Sequence, residues 1–301
     1  MKKIITGFLA IITLTVLAAC GSTSATTDDK EEKITAVTTF YPMYEFTKAV
    51  LGDEGTVEML IPAGSEPHDF EPSAKDMTKV TNSDLFVYNS SALEKWAKEA
   101  KSSVDTDKTT VVEAAKGIQL SQSSEEEGEL DPHVWLDPVY AQQEVATIEK
   151  ALIKKYPNKK EIFTKNAEAY SKQLKNLDEE YQTALQDAKQ RSFVTQHAAF
   201  GYLAKRYDLT QEAISGLSPE EEPSAGRLAE LKTYVKENQL SVIYFEENTT
   251  SKVAQTLADE TGVDTAVLNP IEGIPTKDIE NGTTYISIME ENLKSLQKTI
   301  Q

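Results

Sequence analysis

The fold of this chain is limited first by one long stretch without strand signals. In residues 141–189, Ala, Glu, Lys, Gln and Leu dominate, and apolar residues recur at helical spacing. Because Pro157 and Asn158 divide the stretch, we predict a second helix over about residues 159–189. At a rise of 1.5 Å per residue it would be ~45 Å long, comparable to a domain diameter. We interpret it as a rigid connector between two lobes rather than a single surface helix.

Short apolar and β-branched runs alternate with helical segments on both sides of this stretch. We predict strands at 34–40, 57–61, 85–88, 109–112, 192–195, 212–214, 242–245 and 266–268. Such alternation favours mostly parallel sheets with helices on both faces. The prediction is therefore an α/β fold, with lobes at 34–157 and 191–301 and a linking helix at 158–190.

Helix start signals divide the segments further. Ser73 and Ser224 are predicted N-caps. An amphipathic helix is predicted at 93–100, and Asn281 is predicted to begin a last helix of about twenty residues.

The N-terminus indicates export and a lipid anchor. Lys2 and Lys3 precede an apolar run over 4–16, which is shorter than the ~20 residues that span a bilayer. Leu17-Ala18-Ala19-Cys20 resembles the bacterial lipobox, and Cys20 is the only cysteine. We predict a signal peptide at 1–19 and a lipidated flexible tether at 20–33, with the protein on the outer face of the cell membrane, as in Gram-positive bacteria. The alternative is an ordinary cleaved signal.

The net charge of −18 argues against nucleic-acid binding, which needs a basic surface. An acidic surface could favour the approach of cations, or could be only a solvated surface.

The chain has three histidines, and each lies within a distinctive motif: His68 in PHDFEPS, His133 in DPHVWLDP and His197 in TQHAAFGY. Neutral imidazole is a common ligand for borderline metals. Separations of about 65 residues exclude a local zinc finger, so a joint site must assemble from distant parts of the fold. His68 and His197 follow predicted strands, whose carboxyl ends are where α/β sheets place ligands.

A closed site needs about four donors, so a fourth is expected from the second half of the chain. Two carboxylates qualify, Glu246 just past one predicted strand and Glu272 in the segment LNPIEG. Asp69, Asp131 and Asp137 could hold imidazole N–H groups, or could serve as ordinary turn and cap residues. Trp135 is predicted to be core packing under the site.

The lipobox, the three histidine motifs and LNPIEG occur together in one order, and the chain resembles the metal-binding lipoproteins of bacterial ABC importers, in their zinc-binding branch. The resemblance implies two lobes joined by a long helix, with one Zn²⁺ in the cleft. It maps the ligands onto His68, His133, His197 and Glu272, and ranks Glu246 second. It also implies delivery of zinc to an ABC permease with its ATPase, and we expect a monomer.

The predicted ligand set itself favours zinc, because three imidazoles and one carboxylate suit zinc while oxygen-rich sets suit manganese. In the manganese-binding branch that this chain resembles less, the positions of His197 and Glu272 hold Glu and Asp. Imidazole sites also accept copper, nickel and cobalt.

The sequence differs from many zinc-binding relatives at two places where those relatives bind additional metal. Residues 121–130 are acidic and lack the histidines that many zinc-binding relatives carry there, so this segment is either a weak cation collector or a solvated loop. Some relatives add a second zinc-binding domain at the C-terminus, which we do not expect after Gln301.

Two alternative functions differ from zinc transport. A zinc hydrolase would use three nitrogens to activate water, with Asp69, Asp137 or Glu246 as a base, but a fourth ligand would close that site, so we predict no enzyme. A surface adhesin with a structural zinc site is the other alternative, and it is compatible with transport.

Overall fold

The first half of the chain folds into a parallel four-stranded sheet. The computed structural model describes residues 33–123, 128–246 and 252–300. The strands are β1 (Ile34–Thr38), β2 (Gly55–Met59), β3 (Leu85–Tyr88) and β4 (Thr110–Glu113), in the order β2-β1-β3-β4. The helices between them are α1 (Tyr41–Leu51), α2 (Ala74–Asn82) and α3 (Ala97–Ser103).

Two consecutive helices follow, as the strand-free stretch predicts. They are α4 (Pro138–Lys155) and α5 (Lys160–Leu185), separated by a 3₁₀ turn at Pro157–Lys159. Pro157 cannot continue the hydrogen bonding of α4, which explains the break. The predicted end of α5 is four residues too late, because Leu185 is the last apolar residue of the stripe that α5 buries.

A second parallel sheet repeats the topology of the first. Its strands are β5 (Ser192–Thr195), β6 (Thr210–Ala213), β7 (Val242–Phe245) and β8 (Asp264–Val267), in the order β6-β5-β7-β8. The helices of this half are α6 (Gly201–Arg206), α7 (Ala225–Glu237), α8 (Lys252–Thr261), α9 (Thr276–Glu280) and α10 (Tyr285–Leu296). The predicted α/β fold with two parallel sheets and a long helix is therefore confirmed.

One apolar core extends through both halves. Its large, fully buried side chains include Phe46 of α1, Phe163 of α5, Phe193 of β5 and Tyr285 of α10. Smaller clusters cover the outer face of each sheet, under α3 in the first half and under α7 and α8 in the second. Residues 33–301 form one compact unit, and the boundaries of the two lobes stay a prediction.

Of the helix starts predicted from local sequence, two are confirmed and the one at Leu93 is wrong. Ser73 caps α2 in a reciprocal box with Asp76, and Ser224 caps α7, as predicted. The helix predicted from Leu93 begins only at Ala97, because the Glu94 carboxylate accepts hydrogen bonds from the backbone N–H of Asn89 and Ser90 and stabilises a turn.

The predicted start of the last helix at Asn281 is wrong. Asn281 follows the end of α9, and α10 begins only after Thr284, which forms a capping box with Ser287. Gly282 between the two helices has φ 90°, a left-handed conformation that suits glycine and ends a helix.

The predicted signal peptide and Cys20 lie outside the described residues. In the part of the chain that the structure describes, no helix combines the length and the apolar character needed to span a membrane.

Candidate metal site

Four side chains from separate loops meet at one point between the two sheets. His68 lies in the loop between β2 and α2, and His133 precedes a 3₁₀ turn at Val134–Leu136. His197 lies two residues past β5, and Glu272 lies five residues past β8. Each offers one donor atom, and the four atoms lie within 4.8 Å of one another. The structure thus brings together the four residues that rank first in the sequence analysis.

Five of the six separations between the donor atoms have the scale of a tetrahedral site, and all six are within 4.8 Å. Nε2 of His133 is 3.2 Å from Nε2 of His68 and 3.4 Å from Nε2 of His197. Oε1 of Glu272 is 3.5, 3.1 and 3.5 Å from Nε2 of His68, His133 and His197. A tetrahedron with zinc–ligand bonds of ~2.05 Å has edges of ~3.3 Å. The arrangement therefore needs little change to hold a zinc-sized ion.

The site is closed on most sides. His133 and His197 are fully buried, and Glu272 is 5% exposed. Among the four, the side chain of His68 is the most accessible, with 11% exposed. The site is therefore most accessible to solvent at the loop between β2 and α2.

Two carboxylates orient the buried imidazoles. Nδ1 of His133 is 2.8 Å from Oδ1 of Asp131, and Nδ1 of His197 is 2.5 Å from Oε1 of Glu246. A carboxylate can only accept here, so each Nδ1 carries a hydrogen, and each Nε2 faces the common point, where it can bind an ion once it has lost its own proton. Glu246 therefore lies behind His197 rather than among the four clustered donors.

Burial and charge act in opposite directions on the pKa values of the site. Burial alone would favour a neutral Glu272, but attraction to His197 and the neighbouring His133 and His68 rings hold its pKa well below the usual range. Burial likewise disfavours the charged form of His197, yet Glu246 and Glu272 raise its pKa well above the ordinary value. Without an ion, the site therefore holds protons on nitrogen atoms that an ion would bind.

His133 and His68 respond differently to burial. For His133 the hydrogen bonds to Asp131 and Glu272 outweigh burial and raise the pKa. Burial dominates for His68 and lowers its pKa. Glu66, which sequence reasoning missed, has its pKa raised to about 8 by burial and by repulsion from Glu272. Its Oε1 accepts the His68 backbone N–H at 3.0 Å, and no motif in the sequence indicates this role.

The loop that carries Glu272 is held in an unusual conformation. Ile271 has φ 63°, which is rare for a β-branched residue and costs energy. Its backbone N–H donates to Oδ1 of Asn269 at 2.8 Å, and Asn269 exchanges two hydrogen bonds with Asn292 of α10. Several contacts thus maintain a strained backbone next to a charged, buried side chain.

Trp135 links the His133 turn to this loop. The indole is fully buried, as predicted for core packing, and its Nε1–H also donates to the carbonyl of Pro270 at 2.8 Å. Sequence reasoning missed this second contact, because nothing in the sequence indicates which carbonyl the indole reaches.

The remaining candidate carboxylates lie elsewhere. Asp69 is exposed. Asp137 caps α4 and binds Arg206, so the cap role weighed for it is the one that the structure shows. In the described part of the chain, neither residue has a hydrogen bond to an imidazole.

Comparisons with known proteins agree on one family. The family described as "Zinc-uptake complex component A periplasmic" matches residues 36–299. The "High-affinity zinc uptake system protein ZnuA" of Bacillus subtilis is 48% identical over 95% of this chain and 94% of its own length. The zinc-bound ZnuA-like domain of Streptococcus pneumoniae AdcA is 51% identical and superposes with a TM-score of 0.80, over 89% of this chain and 99% of the domain.

Two other similar proteins differ from these in length or in described activity. The chain spans 61% of the full-length S. pneumoniae lipoprotein AdcA, to which it is 48% identical. A solved structure of the Streptococcus agalactiae laminin-binding protein, described as having adhesin and metal-transporting activity, is 39% identical with a TM-score of 0.82, over 90% of this chain and 100% of that protein.

Proposed function

The chain belongs to the family of periplasmic zinc-uptake component A proteins, and we propose that it captures one Zn²⁺ outside the cell with His68, His133, His197 and Glu272. As a member of this family it is a zinc-binding component of an ABC uptake system and not an enzyme. We propose that it passes the captured ion to an ABC permease, which an ATPase drives.

The donor set is the single observation that supports this assignment of ligands best. Three Nε2 atoms and one carboxylate oxygen face a common point, and five of their six separations, at 3.1–3.5 Å, fit a zinc tetrahedron. Manganese prefers more oxygen donors and a larger coordination number. The ligand chemistry therefore supports zinc over manganese.

The same closure argues against hydrolysis. Catalytic zinc sites keep a fourth position open for water, whereas Glu272 would fill the fourth position in the proposed ligand set. Asp69 is exposed and Asp137 is bound to Arg206, so neither is placed as a general base.

Competition calorimetry on residues 33–301 tests the metal assignment. The protein, stripped with a chelator, should bind one zinc per chain and bind manganese much more weakly. Equal or preferential binding of manganese would refute the assignment. The variant with His68, His133 and His197 all changed to Ala is the control for binding elsewhere on the acidic surface.

The location is proposed from the N-terminal sequence together with the lipoprotein relatives. We propose that lipidated Cys20 anchors the protein as a monomer at the outer face of the membrane. Cys20→Ala should release it into the medium without changing the zinc affinity of the folded part. If the variant stays with the membrane at high salt, the anchor proposal is wrong.

An adhesin role is the second candidate, and the similarity to the laminin-binding protein of S. agalactiae supports it. We favour transport, because the proposed donor set explains it fully. Saturable, zinc-dependent binding of residues 33–301 to immobilised laminin would establish adhesion as an additional function.

A further inference from the structure

We propose that α6 is a positioning element, which fixes the distance between His133 and His197 by holding both ends of the turn that carries His133. This inference rests on the proposed function, because it concerns the geometry of the same site. The His133 turn is defined here as residues 131–137. It belongs to the first half of the chain, whereas α6 belongs to the second half and begins four residues past His197.

Tyr202 of α6 holds the first end of the turn. Its hydroxyl donates to the backbone carbonyl of Asp131 at 2.8 Å and accepts from the backbone N–H of Ser121, also at 2.8 Å. The side chain of Asp131 in turn accepts from Nδ1 of His133. Tyr202 is 3% exposed, so water does not readily replace these bonds.

Arg206 of α6 holds the other end. Its Nε lies 3.0 and 2.9 Å from the two carboxylate oxygens of Asp137, and its Nη2 lies 2.7 Å from Oδ2. Asp137 is 2% exposed and also caps α4 through the N–H groups of Val139 and Tyr140. A buried carboxylate with a guanidinium partner in this geometry is a directional contact, and a lysine cannot reproduce its fork.

Gly201 brings α6 close enough for both contacts. A Cβ atom at this position would lie 3.0 Å from Oδ2 of Asp131. The start of α6 therefore rests directly on the residue that orients His133. Gly201, Tyr202 and Arg206 together place the His133 turn relative to the strand end that carries His197.

The consequence concerns the ion that the site selects. The 3.4 Å between Nε2 of His133 and Nε2 of His197 joins the two halves of the chain across the site. If α6 releases the turn, this distance can increase, and the site can admit more ligands and a larger coordination number. The contacts of α6 therefore favour tetrahedral zinc over metals that prefer six ligands.

The test uses three variants of residues 33–301. Tyr202→Phe removes the hydroxyl at one end, and Arg206→Met removes the guanidinium at the other. The double variant Arg206→Met/Asp137→Asn removes the charged pair together, so no buried carboxylate is left unpaired, and Asn remains a good N-cap. Matched controls are Tyr181→Phe, whose hydroxyl binds the carbonyl of Met289, and Arg227→Met, whose guanidinium binds Glu212.

We expect each α6 variant to lower zinc affinity by ~10-fold, at the lower end of the range for groups that support ligands. We also expect weaker visible absorption of bound Co²⁺, since cobalt reports departures from tetrahedral coordination. The controls should keep both properties, whatever their effect on Tm. A lysine keeps the positive charge but lacks the fork of the guanidinium. The visible absorption of bound Co²⁺ in Arg206→Lys should therefore lie between those of Arg206→Met and the unchanged protein.

The outcomes separate this inference from the proposed function. If the unchanged protein binds no zinc, the proposed function is wrong. If it binds zinc tightly and the double variant and Tyr202→Phe keep its affinity and cobalt spectrum, the positioning role of α6 is wrong. Recovery of both properties in the double variant alone would show that only the unpaired charge of Asp137 mattered, and would also overturn the role of Arg206.

Discussion

Glu272 carries a negative charge where burial opposes it. The side chain is 4% exposed, and neither carboxylate oxygen has a hydrogen-bond partner of good geometry among the described residues. Three imidazoles within 3.5 Å keep its pKa low. A buried charge without full hydrogen bonding is costly, and an ion at the common point would remove that cost.

The two candidate carboxylates should therefore differ in their effect on zinc. Glu272→Ala removes a proposed ligand and should weaken zinc binding by ~100-fold or more. Glu246→Gln keeps an oxygen that can accept from Nδ1 of His197, so the loss should stay near ~10-fold. Competitive titration with a chromophoric chelator measures both. A larger loss for Glu246→Gln than for Glu272→Ala would show that the wrong carboxylate was chosen.

Residue chemistry made part of the site predictable. The three histidines are the only ones in the chain, and each lies in a distinctive motif, so they could be chosen from the sequence. The residues alone could not decide between Glu246 and Glu272, since both follow strands. Glu66 and the hydrogen bond of Trp135 were missed, because they depend on how distant loops meet.

Two loops that carry proposed ligands meet at Gly273. A Cβ atom there would lie 2.9 Å from the backbone oxygen of Ser65 and 3.1 Å from the carbonyl carbon of Gly64. Ser65 belongs to the loop that carries His68, and Gly273 follows Glu272. The close backbone approach therefore sets the distance between two of the proposed ligands.

Gly273→Ala should separate these loops and lower zinc affinity by several-fold to ~10-fold, because the contact is with backbone that cannot rotate away. The control is Gly226→Ala in α7, where a Cβ meets only the Ser224 hydroxyl at 3.6 Å and alanine favours the helix. Isothermal titration of both variants measures the difference. Unchanged zinc affinity in Gly273→Ala would contradict the role of this contact.

Elements with a strong internal signal were the most predictable. The run Val242–Phe245 is a strand as predicted, and Pro157 marks the division between α4 and α5. The start of the last helix was not predictable, since Asn281 resembles a helix start while the cap is made by Thr284. The energy of a cap depends on a side chain reaching the backbone three residues later, which composition does not reveal.

In the molecule as a whole, the site lies between two sheets that have the same topology. Each sheet is formed by residues from one side of α4 and α5, which supports the proposed division into lobes at 34–157 and 191–301. The shared apolar core could not be foreseen from the sequence, because helical periodicity shows that a face is buried but not against which partner.

The pH dependence of zinc binding follows from the charges of the assembled site. The pKa values of His133 and His197 are raised, so the metal-free protein holds protons there at a pH at which an ordinary histidine, with a pKa of ~6.5, has lost them. Zinc must displace these protons, so its affinity should fall as pH decreases. Because the pKa of His68 is lowered, protons compete with zinc for this imidazole only at more acidic pH.

As pH decreases, zinc affinity should therefore begin to fall while the pH is still above ~6.5. The number of protons released per zinc should approach two. Calorimetry in buffers of different ionisation enthalpy measures the protons released at each pH. An affinity that stays constant from about pH 8 to about pH 6 would contradict the imidazole ligand set.

We propose that His68, His133, His197 and Glu272 bind one zinc ion. Diffraction from crystals of zinc-loaded residues 33–301, recorded on both sides of the zinc absorption edge, would locate that ion. We expect one strong anomalous peak between the two sheets, ~2.0–2.2 Å from the three Nε2 atoms and from a carboxylate oxygen of Glu272. A peak bound by Glu246 in place of Glu272, or a principal peak away from the three histidines, would contradict it.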